Sequence, residues 1–318
     1  MKKGKKIAIL GAGNVGATIA YTLTMDKTAS EIVLIDVNKD KAKGEAMDIV
    51  QGTAFSAPIN IYEGDYEDAE GSDIVIVTMG IGRKPGMTRM DLAKTNVELA
   101  KEIIPKIETV CPDAVYVIVS NPVDIITYTF IKHSKILKPR QIIGSGTTID
   151  STRLRTLIAD HVGFSPKDVQ AYVLGEHGDS SVIPWSLISL AGMHMDTYCT
   201  DTCHRHNACG KLELKEIEND VRTAGARVIA AKGATYYAIA MSVRLICETI
   251  IRDTGSILTV SSSTGGAYNL PNVCLSLPFV LGASGIQKVI NPPLTEEENA
   301  ALLKSGKILE DVISQLEI

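Results

Sequence analysis

The chain has 318 residues, 45% of them hydrophobic and 22% charged, with a net charge of −5 at neutral pH. That length can hold two domains with full cores, the charge gives no general electrostatic grip on nucleic acid or an anionic membrane, and no apolar run reaches the ~18 residues that span a bilayer. The six cysteines are scattered and residues 1–6 lead straight into an apolar run, so we expect a cytoplasmic protein with reduced thiols and no targeting segment.

In chain order, Lys6-Ile7-Ala8-Ile9-Leu10 reads as a strand feeding Gly11-Ala12-Gly13-Asn14-Val15-Gly16, which opens a helix over residues 17–25. A second strand, residues 31–35, ends at Asp36, about 20 residues past the last glycine. In this arrangement Gly11 permits a tight turn, Gly13 lets the backbone approach a pyrophosphate, and Gly16 lets helix and strand pack closely. The helix N-terminus offers N–H groups to the phosphate. Asp36 is placed to take ribose hydroxyls and repel a 2′-phosphate, so the cofactor expected is NAD rather than NADP.

Further apolar runs lie at residues 74–78, 115–119 and 141–144, alternating with helical stretches. One of these, residues 91–107, has Leu92, Val97, Leu99, Ala100, Ile103 and Ile104 for its buried stripe. Runs apolar on both faces fit a parallel sheet covered by helices. The expected class is therefore α/β: a Rossmann-type doubly wound parallel sheet over residues 1–145, followed by an α+β substrate domain over residues 146–318. In that second part we expect a helix from Ser151, strand-like segments near residues 169–173, a helical region over 212–252, and short β-like runs at 256–260 and 273–277. An amphipathic helix closes the chain: Thr295 and Glu298 form a capping box, and Leu302, Leu303, Ile308, Leu309, Val312 and Leu316 supply its apolar side.

Four segments carry candidate chemistry. Residues 172–180 hold His177 beside Gly175 and Gly178, where a loop histidine can exchange a proton near neutral pH or simply sit in a surface turn. Asp150 and Arg153 lie three apart at a helix start; they can orient an imidazole and bind a carboxylate, or merely cap the helix and pair with each other. The loop of residues 80–89 has three glycines, Pro85, Arg83, Lys84 and Arg89, which fits a mobile lid over an anion or a solvated basic turn. Asn121 follows an apolar run and can bond nicotinamide or a substrate hydroxyl, or serve only an Asn-Pro turn. A fifth cluster, Cys199, Cys203, His204, His206 and Cys209, has zinc-binding chemistry but no C-x-x-C pair, so a surface loop without metal is the better reading.

Together, GAGNVG with Asp36, the KPG lid, SNPVD, IDSTR, GEHGDS and KGATYYAIA (residues 232–240) resemble the L-lactate and malate dehydrogenase family, in order over nearly the whole chain. The resemblance implies hydride transfer between C2 of a 2-hydroxy acid and nicotinamide, with His177 as proton donor or acceptor. It implies that Asp150 orients and charge-stabilises His177, that Arg153 clamps the C1 carboxylate, and that Arg89 polarises the carbonyl when the lid closes. It places Asn121 at the reacting oxygen and Asp124 and Thr235 in the substrate pocket. For NAD it implicates Gly11, Gly13, Asn14, Val15, Gly16, Asp36, Lys41, Tyr66, Gly80, Ile81, Val119, Asn121 and Ser145. It also implies a homotetramer.

Arg83 matches the lid position that reads the substrate side chain, typically Gln in the lactate enzymes and Arg in the malate enzymes, and Met87 is malate-like too. Closing an unpaired guanidinium over pyruvate's methyl group would desolvate a charge, whereas oxaloacetate offers it a carboxylate. Glu176, Ser180, the GSGTTID approach to Asp150, and Thr235 follow the lactate pattern, and a lid arginine can snorkel to solvent. We favour pyruvate and L-lactate, with oxaloacetate and malate as the alternative. A further alternative, an NAD-binding sensor without chemistry, has little reason to keep His177, Asp150, Arg89 and Arg153 together. Arg155 matches one residue of the fructose 1,6-bisphosphate site of many bacterial lactate dehydrogenases, but Gln170 stands where its partner histidine would be, and a neutral amide brings no charge to a phosphate.

Overall fold

A computed structural model describes residues 4–55, 58–82, 86–198, 213–316 and 318. The first part alternates β1 (Lys6–Leu10), α1 (Asn14–Met25), β2 (Glu31–Ile35), α2 (Lys39–Gly52), β3 (Asn60–Glu63), β4 (Ile74–Val77), α3 (Arg89–Val110), β5 (Val115–Ile118), α4 (Val123–His133) and β6 (Ile142–Gly144). The six strands are all parallel, in the order β3-β2-β1-β4-β5-β6. Strands β4 and β5 are buried at every residue, as expected where helices cover both faces. The order reverses between β1 and β4, and a crevice opens there at the carboxyl ends of the strands.

The second part runs α5 (Thr148–Val162), β7 (Val169–Gln170), β8 (Ser189–Leu190), β9 (Met193–His194), the single turn α6 (Met195–Thr197), α7 (Leu214–Lys232), α8 (Tyr237–Arg252), β10 (Ile257–Ser263), β11 (Cys274–Gly282), β12 (Gly285–Val289) and α9 (Glu296–Gln315). Strands β10, β11 and β12 do not form a separate sheet. They extend the first one antiparallel, with Ser261 opposite Gly144, so the first strand of this part stands directly beside the last parallel strand. A smaller core of Leu154, Ile158, Val169, Ile183, Ile188, Leu190 and Val221 lies apart from the main one and packs α5 and α7 against the β7–β9 sheet.

Several elements differ from the sequence expectation. The helical region expected over residues 212–252 is two helices broken at residues 233–236, where Gly233 has φ +87°; Leu212 lies outside the described residues. The strand expected near residues 169–173 stops at Gln170, because the chain there turns its hydrogen bonds to α5: Val173 N–H donates to Ser151 Oγ at 2.9 Å. Helix α4 went unread because its residues 123–130 are all buried, which hides the helical period. The capping box at Thr295 and Glu298 is present, with N–H···O distances of 2.9 and 3.2 Å. A second box, Thr88 with Asp91, starts α3 at Arg89, two residues before the expected start.

Candidate active site

The crevice between β1 and β4 has a volume of about 520 Å³ and is walled by Gly11, Gly13, Asp36, Lys39, Tyr66, Thr78, Gly80 and Ile81. Gly11 has φ +102°, and a Cβ there would stand 2.9 Å from Thr78 Oγ1. At Gly16 a Cβ would stand 1.9 Å from the Gly11 carbonyl oxygen, so strand and helix touch through backbone. At Gly13 the corresponding point meets nothing within 4 Å beyond its own stretch of chain. Helix α1 also begins without a side-chain cap, so the donors at Asn14, Val15 and Gly16 are left for an anion at that open place. Asp36 accepts the N–H groups of Ala12 at 2.7 Å and Asn38 at 2.9 Å, which fixes its carboxylate at the end of β2 beside the turn. These residues fit a dinucleotide.

Two details were not legible in advance. The lysine on the crevice wall is Lys39, paired with Asp65 at 2.7 Å, while Lys41 lies further along α2 and gives its backbone N–H to the side chain of Asn38, which caps the helix. Asn96, 3% exposed in the stripe of α3, accepts the Ile81 N–H at 3.0 Å and donates to the Asn121 carbonyl at 2.7 Å. It ties the Gly80–Ile81 turn to Asn121; an asparagine among apolar stripe residues was the available signal. Val119 and Ser145 follow β5 and β6, both buried, their N–H groups bonded to Val77 and Ile118.

The second cleft, about 920 Å³, contains His177, Asn121, Arg89, Asp179 and Ser180, with α9 along one side. Helix α5 starts at Thr148 rather than Ser151, so Asp150 falls inside its first turn and Arg153 one turn on. Asp150 Oδ2 meets His177 Nδ1 at 2.5 Å, and Asp150 Oδ1 accepts from Arg153 Nη1 at 2.7 Å. Burial opposes charge on His177, but the Asp150 carboxylate outweighs it and raises the imidazole pKa above its usual value. Burial likewise pushes Asp150 up, yet His177 and Arg153 together hold it below the carboxylate range. The bond at Nδ1 leaves Nε2 as the nitrogen free to face a substrate.

The loop that carries His177 is pinned from α4 and from α9. Asp124 accepts the His177 backbone N–H at 2.8 Å and the Ser261 hydroxyl at 2.5 Å. From α9, Ser305 accepts the Glu176 N–H at 3.0 Å and lies 3.0 Å from Ser180 Oγ, which also bonds Glu176. Asp124, placed in the substrate pocket by the resemblance, is 3% exposed with both oxygens engaged by protein. Arg89 is paired with Asp179 at 2.6 Å, both side chains well exposed. Thr235 stands half-buried in the break between α7 and α8. Arg155 gives its Nε–H to the Ala171 carbonyl at 3.0 Å and lies over the Tyr172 ring, while Gln170 is exposed. Arg83 and the segment from Cys199 to Cys209 lie outside the described residues.

Two family models match: the lactate/malate dehydrogenase NAD-binding domain over residues 5–144, and the lactate/malate dehydrogenase alpha/beta C-terminal domain over residues 147–317. The chain belongs to the lactate/malate dehydrogenase family. As a lactate/malate dehydrogenase it is an NAD-dependent 2-hydroxy-acid dehydrogenase, and the β1–β4 crevice belongs to its NAD-binding domain. It is 48% identical to an L-lactate dehydrogenase of Thermoanaerobacter sp. (strain X514) over 98% of this chain and 99% of that one. It is 47% identical to the L-lactate dehydrogenase of Acetivibrio thermocellus over 99% and 98%. Among solved structures, the minor L-lactate dehydrogenase from Enterococcus mundtii, in its ligand-bound form, superposes with a TM-score of 0.92 at 34% identity, covering 98% of both chains. A lactate dehydrogenase from a deep-sea metagenome library gives a TM-score of 0.94 at 34% identity, covering 99% of this chain and 100% of that one.

Proposed function

We propose that this protein is an L-lactate dehydrogenase that interconverts pyruvate and L-lactate. The observation that carries the mechanism is the single carboxylate of Asp150 joining His177 to Arg153. Bound NADH supplies hydride to C2 of the keto acid. Protonated His177 gives its Nε2 proton to the carbonyl oxygen as charge develops there, and takes it back in the reverse direction. Asp150 holds the ring and stabilises the imidazolium. Arg153 pairs with the substrate carboxylate, and Asn121 bonds the reacting oxygen. Arg89 leaves Asp179 when the lid closes and polarises the carbonyl.

The second reading, malate dehydrogenase, rests on Arg83. The two are separated by kcat/KM for pyruvate and for oxaloacetate with NADH, in the natural protein and in Arg83→Gln. Pyruvate is expected to lead in the natural protein, and the substitution to widen that lead; a large preference for oxaloacetate would assign malate instead.

We further infer a cytoplasmic homotetramer. Tyr237, Met241 and Leu245 form an exposed stripe on α8, and Tyr21 and Met25 are exposed on the neighbouring α1, an apolar surface suited to a second copy. The described cysteines Cys111, Cys247 and Cys274 are free and buried, which suits a reducing compartment. Light scattering on the purified protein tests the assembly: a monomer mass would overturn it.

A further inference from the structure

Asp124 is a buried carboxylate to which the reaction as described assigns no part. It sits in the first turn of α4, where the helix N-terminus favours an anion. Its two oxygens join two elements: Oδ2 takes the main-chain N–H of His177 at 2.8 Å, and Oδ1 takes the Ser261 hydroxyl of β10 at 2.5 Å. His177 therefore stands between two carboxylates, Asp150 on its ring nitrogen and Asp124 on its backbone.

We propose that Asp124 is a positioning residue for the reaction: it pins the main chain at His177 and adds a second anion that favours the protonated imidazole. This rests on the reading of His177 as proton donor. Burial pushes the Asp124 carboxyl up to about 6, against the pull of Ser261 and His177, so it is mostly ionised at neutral pH. The charged groups facing His177 are Asp150 and Arg153 from α5 and Asp124 from α4. Asp124 also faces Glu176 of the loop and Cys274 of β11, whose thiol burial keeps neutral.

Asp124→Asn keeps the shape and can still accept from His177, with its amide donating to Ser261 Oγ, but removes the charge. Two readouts follow: the pH profile of kcat/KM for keto-acid reduction, and the NMR titration of the His177 ring in the cofactor-free protein. In both, the midpoint is expected to move down by about one pH unit, with NADH affinity unchanged. Asp124→Ala also frees the loop and should lower kcat about tenfold at every pH. Ser261→Ala leaves the carboxylate but removes one of its donors, making the anion less stable, so the midpoint moves the same way by less. That variant carries the test if the Asp124 variants do not fold. An unchanged His177 midpoint in Asp124→Asn, or in Ser261→Ala where it stands in, would overturn the proposal. If the natural protein turned over no 2-keto acid, the functional reading would fail, while the NMR titration would still decide the role of Asp124.

Discussion

The two clefts are built by opposite means. The dinucleotide crevice is centred on the backbone of one contiguous stretch, Gly11 to Gly16, with the acid Asp36 fixed beside it at the end of the neighbouring strand. The catalytic cleft is assembled from α3, α4, α5, β10, α9 and the loop at His177, held together by carboxylates whose oxygens are each engaged. A site made of backbone tolerates side-chain change wherever there is room and fails where a Cβ would collide. A site made of shared carboxylates fails when one member is altered, because the partner is left with a buried, unpaired group.

The sharpest test of this contrast is His177→Asn, which should leave NADH binding intact and lower kcat by about three orders of magnitude; appreciable residual turnover would remove His177 from its role. Asp150→Asn should follow, with kcat down by about two orders of magnitude, because the amide loses the imidazolium's counter-charge and its pairing with Arg153. The crevice should answer differently. Gly13→Ala has room in the protein and should leave the melting temperature in place while weakening NADH binding by about tenfold. Gly16→Ala must move backbone and should cost about 1–3 kcal/mol of stability as well. Equal melting temperatures for the two alanine variants would contradict the packing assigned to Gly16.

The pH dependence is a smaller effect with a definite sign. On the proposed mechanism, the raised pKa of His177 keeps the proton donor loaded above the ordinary 6.5, so reduction should fall as pH rises through the raised value. The same pair sets two limits on stability: the contribution of His177 is lost as pH rises through its raised pKa, and that of Asp150 as pH falls through its lowered one. The smallest expected effect is none at all. Fructose 1,6-bisphosphate should not change kcat/KM for pyruvate, because Arg155 is held by Ala171 and Tyr172 and Gln170 brings no charge. Activation in a steady-state titration would show that Arg155 is released on binding.

Five of the six parallel strands and the glycine turn were legible because each is encoded by neighbours in sequence: apolar runs, a glycine spacing, an acid at a strand end; β3 and α2 were not read. Helix α4 was not, since burial on every side erases its period. In the site, Asp150 and Arg153 were readable as a pair because they are three apart on one helix. Their union with His177, 27 residues from Asp150, was reached only through family resemblance. Asn96, Ser261 and Ser305 carried no motif, and polar residues of these types occupy caps and surfaces far more often than loop anchors.

By itself the sequence determined the class of fold, the choice of NAD and the types of residue available for proton transfer, because those follow from local periodicity and local spacing. Tertiary structure alone decided that Asp124 grips the backbone of His177, that Lys39 rather than Lys41 walls the crevice, and that β10 stands beside β6 with Ser261 bonded to Asp124. The reason is physical: a buried carboxylate bonds whichever donors packing brings within 3 Å, and in this chain those donors lie 53 and 137 residues away.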